Sequence, residues 1–166
     1  MTLLALPGRK PETLPWMQAL LADLGEPDAR IQRYGFWALA DTPDPDIAPE
    51  IEAVAASGAD VILAKSIGSL IAMRARREHG LAARAYVFIG APVKRLSAMG
   101  RLDLLAEQAA ASPTLFIQQT ADPTGGFAEL SAALPTTAMA REVAGGDHAY
   151  AETRDLAKLI KAWLPR

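Results

Sequence analysis

Short apolar runs alternate along this chain with segments whose apolar residues recur at helical spacing. The runs are rich in β-branched or aromatic residues, which favour strands, and they lie at Thr2–Leu6, Arg30–Leu39, Val61–Ala64, Arg84–Ile89, Thr114–Gln118 and Thr137–Val143. Helices are predicted for the spaced leucines of residues 14–24 and for Ile47–Ser57, Ile67–His79 and Ala149–Leu164. Parallel neighbouring strands need long connections, usually helices. The alternation therefore predicts a doubly wound α/β fold with a mainly parallel sheet of about six strands.

Composition narrows the classes of protein to consider. The chain has 166 residues, of which 51% are hydrophobic, so we expect residues 1–166 to form one domain, with the Pro- and Asp-rich stretch Asp41–Pro49 as a loop inside it. A net charge of -2 gives no basic surface, so nucleic acid is not expected as a partner. The chain has no cysteine, which excludes thiol catalysis and disulfides, and no apolar run of membrane-spanning length. We expect a cytoplasmic protein that binds no membrane, metal or cofactor.

The most informative stretch is Asp60–Met73, an apolar strand that passes through a tight turn into an apolar helix. Ser66 lies on this turn, with the small residues Ala64 two positions before it and Gly68 two positions after it. Small residues there allow a sharp bend and close helix–sheet packing, which presents the serine hydroxyl at the carboxyl end of the strand. The pattern predicts a nucleophile. The alternative is that Ser66 only caps the helix, since serine is a preferred N-cap residue.

A nucleophilic serine needs a base, and the chain has two histidines. His79 lies 13 positions along the helix that Ser66 begins, which at 1.5 Å per residue is roughly 20 Å away, so it is excluded. His148 follows the last predicted strand on a glycine-rich loop, where a base is expected. A surface histidine is the other reading of that position. Lys65 is rejected as a base because adjacent residues on a strand point to opposite faces.

The base in turn needs a carboxylate from the end of another strand. Asp122 follows the predicted strand Thr114–Gln118 and precedes a Pro/Gly turn, although aspartate is also common in turns for local reasons. The preceding strand has no carboxylate after it until Asp103. Ser66, Asp122 and His148 therefore follow three separate strands in the order that an α/β-hydrolase triad requires.

With these residues, the chain resembles the α/β-hydrolase superfamily, particularly small cap-less members such as dienelactone-hydrolase-like and retinoblastoma-binding-protein-9-like serine hydrolases. The motifs that carry the resemblance are Ala64-Lys65-Ser66-Ile67-Gly68, Phe88–Pro92, Thr114–Asp122 and Gly145–His148. The resemblance implies that Ala64, Lys65 and Gly68 form the nucleophile elbow. It also implies an oxyanion hole made by the amides of Ile67 and Arg9, although Pro7-Gly8 stands where the family usually has His-Gly.

The resemblance to cap-less members implies a fold without a cap domain. It also implies a truncated sheet, because the family's first two strands have no counterpart here. A sheet edge would then be exposed, and a second copy of the chain in a homodimer would cover it. About a dozen residues separate Ile89 from the helix predicted near Arg101, which is too short for an inserted lid. Five cations are expected near the open mouth, where they would favour anionic or polar substrates unless they are ordinary surface charges: Arg9, Lys10, Lys65, Lys94 and Arg95.

These expectations define two functions from different classes. The first is a serine hydrolase of the carboxylesterase type, which acts on an ester, thioester or amide of a small-molecule substrate through an acyl-enzyme. The second is a catalytically silent scaffold that binds a protein or a small ligand, suggested by the missing His-Gly and the shortened sheet. A flavodoxin-like phosphate binder is disfavoured because Pro7–Lys10 lacks the glycines of a phosphate cradle.

Overall fold

A computed structural model of the protein describes residues 1–39 and 43–164. Strands and helices alternate along nearly the whole described chain. The strands are β1 (Leu3–Leu6), β2 (Arg30–Ile31), β3 (Val61–Lys65), β4 (Ala85–Ile89), β5 (Thr114–Gln119) and β6 (Met139–Val143). The helices are α1 (Thr13–Leu24), α2 (Ala48–Ala55), α3 (Ile67–His79), α4 (Val93–Ala98), α5 (Asp103–Ala111), α6 (Phe127–Ala133) and α7 (Thr153–Trp163).

The six strands form one sheet in the order β2-β1-β3-β4-β5-β6, and every neighbouring pair is parallel. The predicted α/β class with a parallel sheet of about six strands is therefore confirmed. Parallel strands end at the same edge of a sheet. The segments that follow β3, β4, β5 and β6 thus meet at one edge, and all three predicted triad residues lie in these segments.

Helices cover both faces of the sheet. Helices α1 and α7 pack together on one face, over a core that includes Leu20, Leu63 and Ile160. Helices α2, α3, α5 and α6 belong to the other face, where Phe88 and Phe116 are fully buried with the apolar side of α3. The strands of the sheet centre are buried on both faces, as expected for a sheet covered by crossover helices.

The prediction of one strand over Arg30–Leu39 is wrong in extent. Strand β2 ends at Ile31, and Gly35–Leu39 is a short 3-10 helix. The chain leaves the sheet because the Tyr34 hydroxyl donates to the Pro7 carbonyl at 2.8 Å and the Tyr34 ring stacks on Phe36 at 4.8 Å. The aromatic residues that suggested a strand therefore form a packed cluster beyond its end.

The other differences between the predicted and the observed helices are smaller. Helices α4 and α6 were not predicted, and the last helix begins at Thr153, four residues later than expected. Part of the predicted loop Asp41–Pro49, namely residues 41 and 42, lies outside the described residues, and α2 begins at Ala48. In the described part of the chain, no helix combines the length and apolar character needed to cross a membrane.

Candidate active site

Ser66 occupies a strained turn between β3 and α3. Its backbone has φ 52° and ψ -117°, a left-handed conformation that non-glycine residues rarely adopt and that clusters at functional sites. The Ser66 amide donates to the carbonyl of Ile89 at 3.0 Å, which ties the turn to the end of β4. The Ser66 side chain makes no capping hydrogen bond to α3. The capping role, the alternative considered from the sequence, is therefore not what this serine performs.

Gly68 allows α3 to approach the sheet closely. A Cβ atom at this position would lie 2.6 Å from the Leu6 carbonyl oxygen and 3.0 Å from that of Pro7. Both contacts are with backbone, which cannot give way as a flexible side chain does. Ala64, which replaces the first glycine of the family pattern, is fully buried in β3 between Leu6 and Phe88. The second small position is thus sterically required, and the first accommodates a methyl group.

Asp122 and His148 meet across the same edge of the sheet. His148 Nδ1 lies 2.8 Å from Asp122 Oδ2 and 3.0 Å from Oδ1. An ionised carboxylate only accepts hydrogen bonds, so Nδ1 carries the proton that it donates. In neutral imidazole the other ring nitrogen, Nε2, then keeps a free lone pair. This is the tautomer that a general base requires.

The Asp122 carboxylate is buried and fully hydrogen-bonded. Besides the hydrogen bond from His148, it accepts hydrogen bonds from the Thr124 amide at 2.8 Å, from the Thr124 hydroxyl at 2.7 Å and from the Tyr150 hydroxyl at 2.7 Å. Burial alone would raise its pKa, but the hydrogen bonds from His148, Thr124 and Tyr150 outweigh burial and lower the pKa from 3.8 to about 2. Asp122 therefore stays ionised at neutral pH.

A network of side chains fixes the loop that carries His148. The loop is strained, with φ 62° at His148 and 56° at Tyr150. Gln119 Oε1 accepts hydrogen bonds from the backbone amides of Asp147 at 3.1 Å and His148 at 2.9 Å. Gln119 Nε2 donates a hydrogen bond to Asp147 Oδ1 at 2.9 Å. Trp16 Nε1 donates to the Tyr150 carbonyl at 2.8 Å. Asp147, next to the candidate base His148, thus supports the loop and does not bind the imidazole.

Lys65 contributes to this support from the opposite face of β3. Its ammonium donates to the His148 carbonyl at 2.8 Å and lies 5.3 and 5.2 Å from the ring centroids of Trp16 and Tyr150. Burial lowers the pKa of Lys65 to about 8, although the nearby carboxylates of Asp122 and Asp147 oppose that change. Burial likewise raises the pKa of Tyr150, which keeps its hydroxyl protonated as a donor to Asp122.

Ser66 and His148 both adjoin the turn that follows β4. Ser66 binds Ile89, and a Cβ on the next residue, Gly90, would lie 3.0 Å from His148 Cε1. Gly90 has φ 63° and leaves room for the imidazole. Within the described chain, no hydrogen bond yet joins the Ser66 hydroxyl to His148. Such contacts are often long in the absence of substrate.

A cavity of about 290 Å³ opens beside Ser66. Its lining comprises Arg9, Ser66, Ile67, Pro92, Lys94, Arg95 and Thr124. Ile67 is the first residue of α3, so its amide has no acceptor within the helix. Of the five cations predicted near the mouth, Arg9, Lys94 and Arg95 line the cavity. Lys10 is exposed elsewhere in the loop, and Lys65 is buried on the other face of the sheet.

The remaining predicted residues lie apart from this edge. His79 is exposed at the far end of α3, and Asp103 pairs with Arg77 at the start of α5. No group of three or more histidine, aspartate or glutamate side chains among the described residues is arranged to hold a metal ion.

Sequence reasoning missed three supporting residues: Tyr150, Gln119 and Thr124. Two of them left a signal in the sequence. Glutamine at the end of an otherwise apolar buried strand, and a tyrosine two positions after the candidate base, each require a hydrogen-bond partner once buried. The partners, Asp147, His148 and Asp122, come from distant parts of the chain, so only the structure identifies them.

Comparisons with known proteins show what this fold is similar to. No family model matches the chain, and no curated protein matches it. Among solved structures, one similar chain is a “putative hydrolase of the alpha/beta superfamily” from Xanthomonas campestris pv. campestris, with 24% identity over 97% of this chain and 98% of that one, and a TM-score of 0.64. Another is a “putative YdeN-like hydrolase” from Pectobacterium atrosepticum, with 14% identity over 99% and 92% of the two chains and a TM-score of 0.66. The chain shares the α/β fold of these proteins over nearly its whole length.

Proposed function

We propose that the protein is a serine hydrolase of the α/β-hydrolase superfamily, of the cap-less type that includes dienelactone-hydrolase-like and retinoblastoma-binding-protein-9-like enzymes. Its substrate is a carboxylic ester, thioester or amide of a small molecule. The observation that carries the proposal is the Asp122–His148 hydrogen bond at the sheet edge where Ser66 occupies a strained strand-to-helix turn. The shared fold of two proteins named as hydrolases supports the same class.

The proposed reaction begins with proton transfer from the Ser66 hydroxyl to His148 Nε2 as the serine oxygen attacks the substrate carbonyl. Asp122 keeps the proton on Nδ1 and stabilises the imidazolium that forms. The imidazolium then protonates the leaving group. A water molecule, activated by the same base, releases the acyl group from Ser66.

The negative charge that develops on the carbonyl oxygen needs donors near Ser66. The Ile67 amide, at the start of α3, is the first candidate because it has no intrahelical acceptor and because the helix dipole favours negative charge there. The Arg9 amide is the second, since Arg9 lines the same cavity from the loop after β1. Both donors come from the backbone, so side-chain substitution alone would not remove them.

The experiment is steady-state and burst kinetics with p-nitrophenyl esters of graded acyl length. We expect a burst close to one equivalent of p-nitrophenol if deacylation is slower than acylation. Turnover should fall by at least 10³-fold in Ser66→Ala and in His148→Ala. His79→Ala is the matched control, because His79 is the other histidine and lies at the far end of α3. Equal turnover in the wild-type protein and Ser66→Ala would contradict the proposal.

A silent binding scaffold is the second candidate, and one observation favours it: the Ser66 hydroxyl makes no hydrogen bond to His148 in the described chain. If the protein is a scaffold, the folded protein would hydrolyse none of the esters. It would instead form a stable complex with a partner, and the complex would survive Ser66→Ala. Size-exclusion chromatography of the protein with a candidate partner separates this function from the hydrolase.

A further inference from the structure

The cavity beside Ser66 has a strongly one-sided charge. Three cationic residues line it, Arg9, Lys94 and Arg95, and none of its described lining residues is acidic. The whole chain, in contrast, has a net charge of -2. The formal charges of the described lining are therefore opposite in sign to the net charge of the chain, and such an arrangement attracts an anionic ligand.

The hydrogen bond that Lys94 makes leaves its charge largely uncompensated. Lys94 Nζ donates to the Pro123 carbonyl at 3.1 Å, and a carbonyl is a neutral acceptor. Lys94 is also the second residue of α4, in the first helical turn, where the helix dipole disfavours a cation. Helix stability therefore does not account for a lysine at this place.

Arg95 has unused donor capacity. Its Nη2 atom pairs with Asp44, while its Nε atom is buried and has no acceptor among the described residues. A guanidinium binds carboxylates best through two parallel N–H bonds, so Asp44 uses only part of the available geometry. The Asp44 side chain is 85% exposed, and exposed ion pairs contribute little free energy. A carboxylate from a ligand can thus replace Asp44 at small cost.

The position of α4 connects this wall to the candidate triad. The Lys94 amide donates to the Thr124 carbonyl at 2.8 Å, and the Thr124 side chain in turn binds Asp122. A Cβ at Gly125 would lie only 2.6 Å from Val93 Cβ, so the first turn of α4 packs tightly on the loop that carries Asp122. The backbone that carries Lys94 and Arg95 is therefore held at a fixed place relative to the reacting groups.

We propose that this cavity selects substrates with a second, anionic group: a carboxylate a few bonds from the carbonyl that Ser66 attacks. Arg95 binds that carboxylate in place of Asp44, and Lys94 supplies further positive charge. This inference rests on the proposed hydrolase function and goes beyond it by naming the substrate class.

The test compares two matched pairs of esters. One pair places the charge on the acyl side: mono-4-nitrophenyl adipate against its methyl ester. The other places it on the leaving group: 3-acetoxybenzoate against its methyl ester. We expect kcat/KM to be about tenfold higher for the anionic member of at least one pair, and the pair that responds identifies the side of the substrate that carries the charge. The preference should shrink in 0.5 M salt as screening increases.

Variants connect the preference to named residues. Arg95→Gln should abolish most of the preference, and Asp44→Asn should increase it, because Arg95 then has no competing carboxylate. Arg77→Gln is the control, since it removes the same charge from an exposed site at the end of α3. Equal kcat/KM within both pairs, or a preference that survives Arg95→Gln, would overturn the inference while neutral-ester turnover still supports a hydrolase. Failure to hydrolyse any ester would overturn the function itself.

Discussion

Replacing Asp122 by asparagine tests whether the buried carboxylate is a strongly stabilised charge. Asparagine has nearly the same shape, so Thr124 and Tyr150 keep a neighbour of the same size. The ionised carboxylate is lost, and the amide group of asparagine donates hydrogen bonds where the carboxylate accepted them. The substitution therefore removes the negative charge with little change in packing.

The magnitude follows from the pKa of Asp122, which is lowered from 3.8 to about 2 because hydrogen bonds from His148, Thr124 and Tyr150 outweigh the effect of burial. At 1.36 kcal/mol per pKa unit, this difference corresponds to about 2 kcal/mol. A lowered pKa means that Asp122 becomes protonated at a lower pH in the folded state than in the unfolded state. The stabilisation is complete above about pH 4 and is lost as the pH falls towards 2.

Urea unfolding between pH 6 and pH 2, followed by tryptophan fluorescence, measures this effect. The difference in free energy of unfolding between the wild-type protein and Asp122→Asn should shrink by about 2 kcal/mol across the acid range. Contributions from other carboxylates cancel in the difference. Thr124→Ser is the matched control because it keeps both donors to Asp122, and it should follow the wild-type pH dependence. A difference that stays constant from pH 6 to pH 2 would refute the reasoning.

Two further substitutions test the packing and support of the site. Gly68→Ala should lower the free energy of unfolding by about 1–3 kcal/mol, because the new methyl group would lie 2.6 Å from the Leu6 carbonyl oxygen. Thermal unfolding measures this loss. Ser69→Ala is the control and should cost much less, because it removes a buried hydroxyl that has no hydrogen-bond partner among the described residues. Equal melting temperatures for the two variants would contradict the steric argument. Lys65→Met should lower kcat more than it changes KM, because methionine keeps the apolar stem but removes the donor to the His148 carbonyl. An unchanged kcat would show that the loop of His148 is positioned without Lys65.

The fold was largely predictable because its signal is local and repeated. Each buried strand of a parallel sheet is a short apolar run, and each crossover helix has its own apolar spacing. The glycines that end α1 and α3, Gly25 and Gly80, adopt left-handed conformations that favour glycine. Residues 30–39 were mispredicted because their aromatic side chains pack against one another and against the loop after β1, a tertiary contact that propensity does not encode.

The meeting of three candidate residues at one edge of the sheet was predictable from the sequence, whereas the side chains that support them were not. Ser66, Asp122 and His148 each follow a strand, and parallel strands deliver such residues to one edge. Lys65 shows the limit of this reasoning. Strand alternation explains why it cannot act beside Ser66, yet only the structure shows that its ammonium reaches the carbonyl of His148, 83 positions away along the chain.

The most direct measurement of the central claim is covalent labelling with a fluorophosphonate probe, followed by mass spectrometry of the digested protein. The account predicts one adduct, on the peptide that contains Ser66, formed by the wild-type protein and by His79→Ala. It predicts no adduct in Ser66→Ala and strongly slowed labelling in His148→Ala. A folded wild-type protein that forms no adduct, or that is labelled at another serine, would contradict the assignment of Ser66 as an activated nucleophile.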